Sequence, residues 1–415
     1  MRRSVRYGVA LALVASACSS PSSPDPLVIG AVYPLSGSQG SGGVQEFRGV
    51  SLAADLVNAD GGVHGRPIEL RTVDVPGSDA APAAIAQLDA EGIDLVLGSY
   101  GSTISAVAST ATAERNMLFW ETGAVGMLPS TSDAGDLTFR VPPTGGTLGR
   151  AAIDFVSGKL AHEMHRDPRS LRYAVAFVDD VYGNTVASGA EDELRKLGLD
   201  LVATVGYPPV GYDAARIARR IAAARPDVLF VSAYLEDGIA VRRELVREHV
   251  PLVASIGTSS SYCMPEFGQR LGRMAVGVYA SDKPDASIDP DGLRPQARDL
   301  LQRANDAYRA RWGSDLSPPA LAGFSAAWAL FHDVLPEANG DTAAAVASAA
   351  LEVDLPRGSL PNGSGLRFAP PGVPDAGANV EAASVIWEWV SPGHAAVIWP
   401  PAFASEPMPA SVMGW

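Results

Sequence analysis

Residues 27–73 carry an apolar run, a glycine-rich turn, a helical stretch and a second apolar run, and this order constrains the fold more than any other feature of the chain. Leu27-Val28-Ile29-Gly30-Ala31-Val32 has the continuous apolar character of a strand buried on both faces. It breaks into Tyr33-Pro34-Leu35-Ser36-Gly37-Ser38-Gln39-Gly40-Ser41-Gly42-Gly43, which is expected to be loop throughout. Helical periodicity follows at Phe47, Val50, Ala54 and Val57, and Asp60-Gly61-Gly62 ends it as a glycine C-cap. A second strand is expected from Ile68 to Val73. Strand, loop, helix and strand make a βαβ unit, which places the loop at the carboxyl edge of a parallel sheet, where ligands bind. The loop, rich in hydroxyls and backbone donors, is expected to form one wall of a ligand cleft, with Ser41 and Gly42 as contacts.

The same alternation continues. Strands are expected at Ile93–Leu97, Met117–Trp120, Tyr173–Val178, Leu201–Val205, Asp227–Ser232 and Leu252–Ile256, with helices of about ten to fifteen residues between most of them. The fold class is therefore α/β, with mainly parallel sheets flanked by helices. Phe139-Arg140-Val141-Pro142-Pro143 reads as an extended crossing, and Val276-Gly277-Val278-Tyr279-Ala280 as a return crossing. Ala382–Val390 and Ala395–Trp399 flank Ser391-Pro392-Gly393-His394, a hairpin signal. At 415 residues the chain exceeds a single core of about 250–300 residues, so two lobes are expected.

Met1-Arg2-Arg3-Ser4-Val5-Arg6 is a basic start, Tyr7–Ala15 a short apolar core, and Ala15-Ser16-Ala17 a small-residue stretch before Cys18. This layout is that of a secretory signal, too short to remain as a membrane span. A cysteine directly after the small residues resembles the bacterial lipobox, so residues 1–17 are read as a lipoprotein signal, Cys18 as the lipidated residue and 18–26 as a flexible tether. The formal net charge of −14 disfavours nucleic acid and anionic lipid as partners. The remaining cysteine, Cys263, is expected to be a small core residue.

Several polar or aromatic groups fall just past strand ends, where such folds place their sites. Ser102-Thr103 opens a helix directly after a buried strand, so its hydroxyls and free N–H groups either bind a carboxylate-sized anion or cap the helix. Tyr100 and Trp120 are pocket wall or core. Glu121 either faces a ligand amine or pairs with a structural arginine.

Pro34-Leu35-Ser36-Gly37, the helix carrying Phe47-Arg48-Gly49, and Asn58-Ala59-Asp60-Gly61-Gly62-Val63-His64-Gly65-Arg66 together resemble the leucine/isoleucine/valine-binding family, type I periplasmic binding proteins that serve ABC importers. Gly98–Ser109, Val178-Asp179-Asp180-Val181-Tyr182-Gly183 and Pro226-Asp227 leading to Tyr234 repeat that family's later landmarks in order. The resemblance spans roughly Leu27 to Trp399. It implies a two-lobed clamp with three crossings, near Arg140, Lys283 and Ala338. Lobe 1 would comprise 27–140 plus 283–337, and lobe 2 would comprise 141–282 plus 338–415. Ligand would be sealed in the cleft by hinge closure.

The resemblance further implies that Ser102 contacts the ligand's carboxylate and that the backbone of Gly123-Ala124 faces it. Tyr182 would close over the ligand from lobe 2, and Tyr234 would face its amine. After strand Leu252–Ile256 the family's amino-acid binders present an acid, whereas this chain has Gly257-Thr258-Ser259-Ser260-Ser261. Thr258 is thus a candidate contact, and Glu121 or Asp180 would replace the absent carboxylate.

Catalytic signatures are not found. Gly37–Gly42 reads G-x-x-G-x-G, the wrong order for the dinucleotide fingerprint, and His162-Glu163-Met164-His165 is not H-E-x-x-H. G-x-S-x-G is missing as well. The expectation is a monomeric, lipid-anchored, extracytoplasmic protein with no cofactor or metal, passing a small polar ligand (amino acid, amide or organic acid) to an ABC permease and ATPase. A sensing module of the same fold is the alternative, and an α/β enzyme a more distant one.

Overall fold

The computed structural model describes residues 24–127, 137–258, 260–373 and 375–408. The expected signal segment, Cys18 and most of the tether lie outside the described residues.

Burial of apolar runs builds the first sheet. Its strands are β1 (Leu27–Tyr33), β2 (Ile68–Asp74), β3 (Leu95–Gly98), β4 (Leu118–Glu121) and β5 (Thr138–Arg140), all parallel, in the order β2-β1-β3-β4-β5. Helices α1 (Gly40–Ala59), α2 (Ala81–Ala90) and α3 (Ser102–Ala113) connect them. The expected loop through Gly43 is shorter than read, because α1 already begins at Gly40. Two glycines of α1 serve close approach: a Cβ on Gly43 would lie 2.1 Å from the Pro34 carbonyl oxygen, and one on Gly49 1.9 Å from that of Ala320.

The second sheet takes the next units: α4 (Gly145–Asp154), a π-helical stretch running into the single turn α5 (Ala161–Glu163), β6 (Arg172–Val178), α6 (Val181–Leu197), β7 (Asp200–Tyr207), α7 (Ala214–Ala224), β8 (Val228–Ser232), α8 (Leu235–Arg247), β9 (Ala254–Thr258), α9 (Pro265–Leu271) and β10 (Tyr279–Asp282). Then α10 (Pro295–Trp312) and α11 (Pro318–Trp328) return to the first sheet, α11 packing lengthwise on α1. After α12 (Ala343–Glu352), the hairpin β11 (Val385–Ser391) and β12 (His394–Trp399) adds two antiparallel strands beside β10, giving the order β12-β11-β10-β9-β8-β6-β7.

Two expectations need correction. Val276–Ala280 is not a return crossing: Tyr279–Asp282 is a strand pairing in parallel with β9, Ala280 opposite Gly257. Its second half is polar yet buried, with Ser281 Oγ donating to the Leu148 carbonyl at 2.9 Å and Asp282 accepting from Cys263, so no apolar run marked it. The third crossing falls at 382–384 rather than near Ala338. Residues 343–381 stay with the first sheet: α12 packs on β4, the Arg140 and Gly377 backbones bond at 2.8 Å, and Phe368 packs edge-on against Trp120 and Phe139. The chain leaves the first sheet after Arg140 and the second after Asp282. Among the described residues no helix is long and apolar enough to cross a membrane.

Candidate ligand cleft between the two sheets

Each sheet reverses its strand order once, between β1 and β3 in the first and between β6 and β8 in the second. At such a switch point the loops leaving neighbouring carboxyl ends diverge and leave a crevice. The two crevices face each other. Together they enclose a cavity of about 470 Å³, walled by Gln39, Ser41, Gly42 and Tyr100 from the first sheet's loops and by Asp180, Tyr212, Tyr234 and Asp237 from the second's.

Local folding fixes these side chains. Gly101, at φ 93°, turns the chain from Tyr100 into α3. Asp180 N-caps α6, its Oδ1 accepting from Gly183 N at 2.9 Å, while its Oδ2 accepts from the Tyr234 hydroxyl at 2.8 Å. The Tyr234 ring lies 5.2 Å from that of Tyr182. Asp237, in the first turn of α8, accepts from the Tyr207 hydroxyl at 2.7 Å. Burial raises the Asp180 carboxyl above its usual range and pushes Asp237 up to about 6.

The two halves are closed on each other. Ser41 Oγ donates to Glu266 Oε1 at 3.3 Å, Met127 N to Thr185 Oγ1 at 3.0 Å, and Lys283 Nζ, just past β10, to the Gly123 carbonyl at 2.8 Å. Deeper in, Tyr100, Ser102, Gly123, Ala124, Tyr182, Tyr234 and Lys283 surround a space of only about 10 Å³. That is room for about one water.

Of the residues singled out in the sequence, Ser41, Gly42, Tyr100 and Tyr234 wall the large cavity, and Ser102, Gly123, Ala124 and Tyr182 the small one, which Tyr100 and Tyr234 share. Thr258 is buried, its hydroxyl 2.9 Å from that of Tyr182. Trp120 and Glu121 are not in the walls. Trp120 donates Nε1–H to the Ala326 carbonyl at 2.9 Å and packs among Phe139 and Phe368. Glu121 folds back beneath its own strand end, where Oε1 accepts from Ser99 N at 3.1 Å, Gly123 N at 2.9 Å and Ala124 N at 2.8 Å. Burial pushes its carboxyl up to about 7. Glu121 is therefore an internal acceptor for the backbone donors expected to face a ligand carboxylate. Ser102 Oγ likewise accepts from Gly126 N at 2.9 Å.

Sequence reasoning missed Gln39, Tyr212, Asp237 and Lys283, and it missed Glu46 altogether. Asp237 had a signal, since it follows Tyr234 by less than one helical turn. Glu46 had none: in Val44-Gln45-Glu46-Phe47-Arg48 it resembles a solvated helix face, yet it is wholly buried. Thr122 Oγ1 donates to its Oε1 at 2.8 Å, and a Cβ on Gly123 would sit 1.6 Å from its Oε2. Burial pushes the Glu46 carboxyl up to about 8, against the opposing pull of Lys283.

Two α/β lobes closing a cavity between their carboxyl edges define a clamp-type binding protein of the kind that works by hinge closure. Residues 26–380 match the periplasmic binding protein family, and the chain belongs to it, as a type I member of the leucine/isoleucine/valine-binding group. The Leu/Ile/Val-binding protein homolog 8 of Brucella suis is 26% identical over 364 residues, covering 87% of this chain and 89% of its own. The leucine binding protein LivK of Thermotoga maritima superposes with a TM-score of 0.75 at 16% identity, covering 89% of this chain and 97% of its own. A fatty acid ABC transporter substrate-binding protein from Thermomonospora curvata does so with a TM-score of 0.72 at 16% identity, covering 90% and 91%. At such identities the two solved structures speak for the fold.

Proposed function

We propose that the protein is the extracytoplasmic binding component of an ABC importer, capturing a small polar ligand between its lobes and presenting the closed form to the permease. The observation that carries this reading is the cavity of about 470 Å³ walled from both sheets and bridged by Ser41 and Glu266, since a ligand there would hold the lobes together. The relatives support the import role: they are leucine/isoleucine/valine-binding homologues and a leucine binding protein, while the fatty-acid neighbour shows the same fold serving another ligand class. Amino acids, amides and organic acids are the first classes to screen.

A thermal-shift screen of the purified protein is the test, because a ligand that binds only the folded state raises Tm by mass action. A stabilising compound should lose its effect on Tyr234→Ala; equal stabilisation of both proteins would place its site elsewhere. We extend the reading to a lipid anchor at Cys18, for which Cys18→Ser should move the protein from the membrane to the soluble fraction.

A further inference from the structure

The cavity is chemically one-sided. Its described lining holds three carboxylates, Asp180, Glu236 and Asp237, and no lysine, arginine or histidine. Arg270 neutralises Glu236 in a two-pronged pair. Asp180 and Asp237 are in no ion pair among the described residues; hydroxyl and backbone donors are their partners.

Unpartnered acceptors lie in the cavity wall and beside it. Gln39 Oε1 in the wall is buried with no hydrogen-bond partner, as is Glu266 Oε2 on the residue that bonds Ser41 across the cleft. Buried acceptors left so are costly, and a ligand rich in N–H groups would satisfy them.

The backbone donors that the family resemblance aims at a ligand carboxylate, and the lysine beside them, are already committed. Gly123 N and Ala124 N bond Glu121, Gly126 N bonds Ser102, and Lys283 Nζ bonds the Gly123 carbonyl. The inner space beside them holds about 10 Å³. A carboxylate displaced from there into the larger cavity would meet two aspartates in a desolvated setting, which is unfavourable.

We propose that the cleft selects organic amines with an apolar body and no free carboxylate, the ammonium lying between Asp180 and Asp237 and the body against Tyr100, Tyr212 and Tyr234. Charge-assisted hydrogen bonds to the two aspartates and cation–π contact with the tyrosines supply the recognition. The cavity of about 470 Å³ matches the lower part of the range for drug-sized ligands, roughly 300–1,000 Å³. This specificity rests on the solute-binding reading above and narrows it.

Titration calorimetry on the purified protein with three compounds sharing one body tests it: tyramine, tyrosine and 4-hydroxyphenylacetate, with 3-methylbutylamine, leucine and 3-methylbutanoate as a second set. The amine of at least one set should bind at least tenfold more tightly than its amino acid, with no binding by the acid. Asp180→Asn and Asp237→Asn, both isosteric, should each weaken that amine at least tenfold while far-UV circular dichroism stays native. Tighter binding of tyrosine or leucine overturns the amine specificity and leaves the solute-binding reading standing. Failure of both sets to bind overturns it as well; the solute-binding reading falls only if a wider small-molecule screen also finds nothing.

Discussion

Gly42 and Tyr100 share one van der Waals surface at the cavity wall: a Cβ on Gly42 would lie 2.2 Å from Tyr100 Cζ and 2.7 Å from its hydroxyl oxygen. The first turn of α1 and the turn into α3 thereby set the cavity's width from the first sheet's side. Gly42→Ala forces the Tyr100 ring into the ligand space. The variant should lose about 1–3 kcal/mol of stability, the usual cost of overpacking, and bind its ligand at least tenfold more weakly. Removing the ring as well, in Gly42→Ala/Tyr100→Ala, should show a favourable coupling of about 0.5–3 kcal/mol in a double-mutant cycle by denaturant unfolding. Additive losses would mean that the two residues do not share this contact.

Glu121 gives the second prediction. Its Oε1 gathers three backbone N–H groups, so Glu121→Ala leaves Ser99, Gly123 and Ala124 donors buried without their carboxylate partner. Each orphaned group costs about 1–3 kcal/mol. Urea midpoints should fall markedly for Glu121→Ala and less for Glu121→Gln, which keeps one acceptor oxygen. Amine affinity at a temperature where both variants are folded should stay within about threefold of the original protein. A selective loss of amine binding by Glu121→Gln would return this residue to the cleft.

The contrast between Glu121 and Asp180 explains how far the sequence could be read. Both follow apolar strands, and both were candidates for a ligand amine. Their difference lies in the turn geometry: the chain after β4 curls over the Glu121 carboxylate, whereas Asp180 opens a helix and keeps Oδ2 for Tyr234. No spacing rule encodes that. Strand runs such as Leu27–Val32 and Tyr173–Val178 were legible because burial on both faces demands continuous apolar residues. β10 was not, since its buried Ser281 and Asp282 bond partners far along the chain, Leu148 and Cys263. The packing of 343–381 onto the first sheet was hidden for a similar reason: it rests on Phe368 meeting Trp120 and on backbone pairing with Arg140, both long-range.

Closure itself is open to test through Ser41 and Glu266, which join α1 to α9 across the cleft at 3.3 Å. Glu266→Ala removes a contact made only when the lobes meet. A bond of this kind contributes about 0.5–1.5 kcal/mol, so ligand affinity should fall roughly two- to tenfold, mainly through faster dissociation in stopped-flow measurements. Stability of the unliganded protein should change little if the open form dominates without ligand. An unchanged dissociation rate would remove this bond from the closing mechanism.

Glu46 predicts a pH dependence with a definite sign. Burial holds its carboxyl at about 8 in the folded chain against an ordinary 4.5. Between those values the folded state keeps a proton that the unfolded state has released, so this group makes stability fall as pH rises, and its effect levels off above about 8. Each pH unit in the window costs about 1.4 kcal/mol at the limit of full protonation difference. Asp237, at about 6, and Glu121, at about 7, act in the same direction over narrower windows, so the protein as a whole should be less stable at pH 8 than at pH 5 on account of these three acids. Glu46→Gln removes one of them while keeping an acceptor for Thr122. Urea unfolding at pH 5, 6.5 and 8 should show the variant gaining on the original protein as pH rises. A difference that stays constant across the three pH values would show that Glu46 ionises normally in the folded chain, and that the buried acceptor beneath Gly123 carries a charge stabilised by its surroundings.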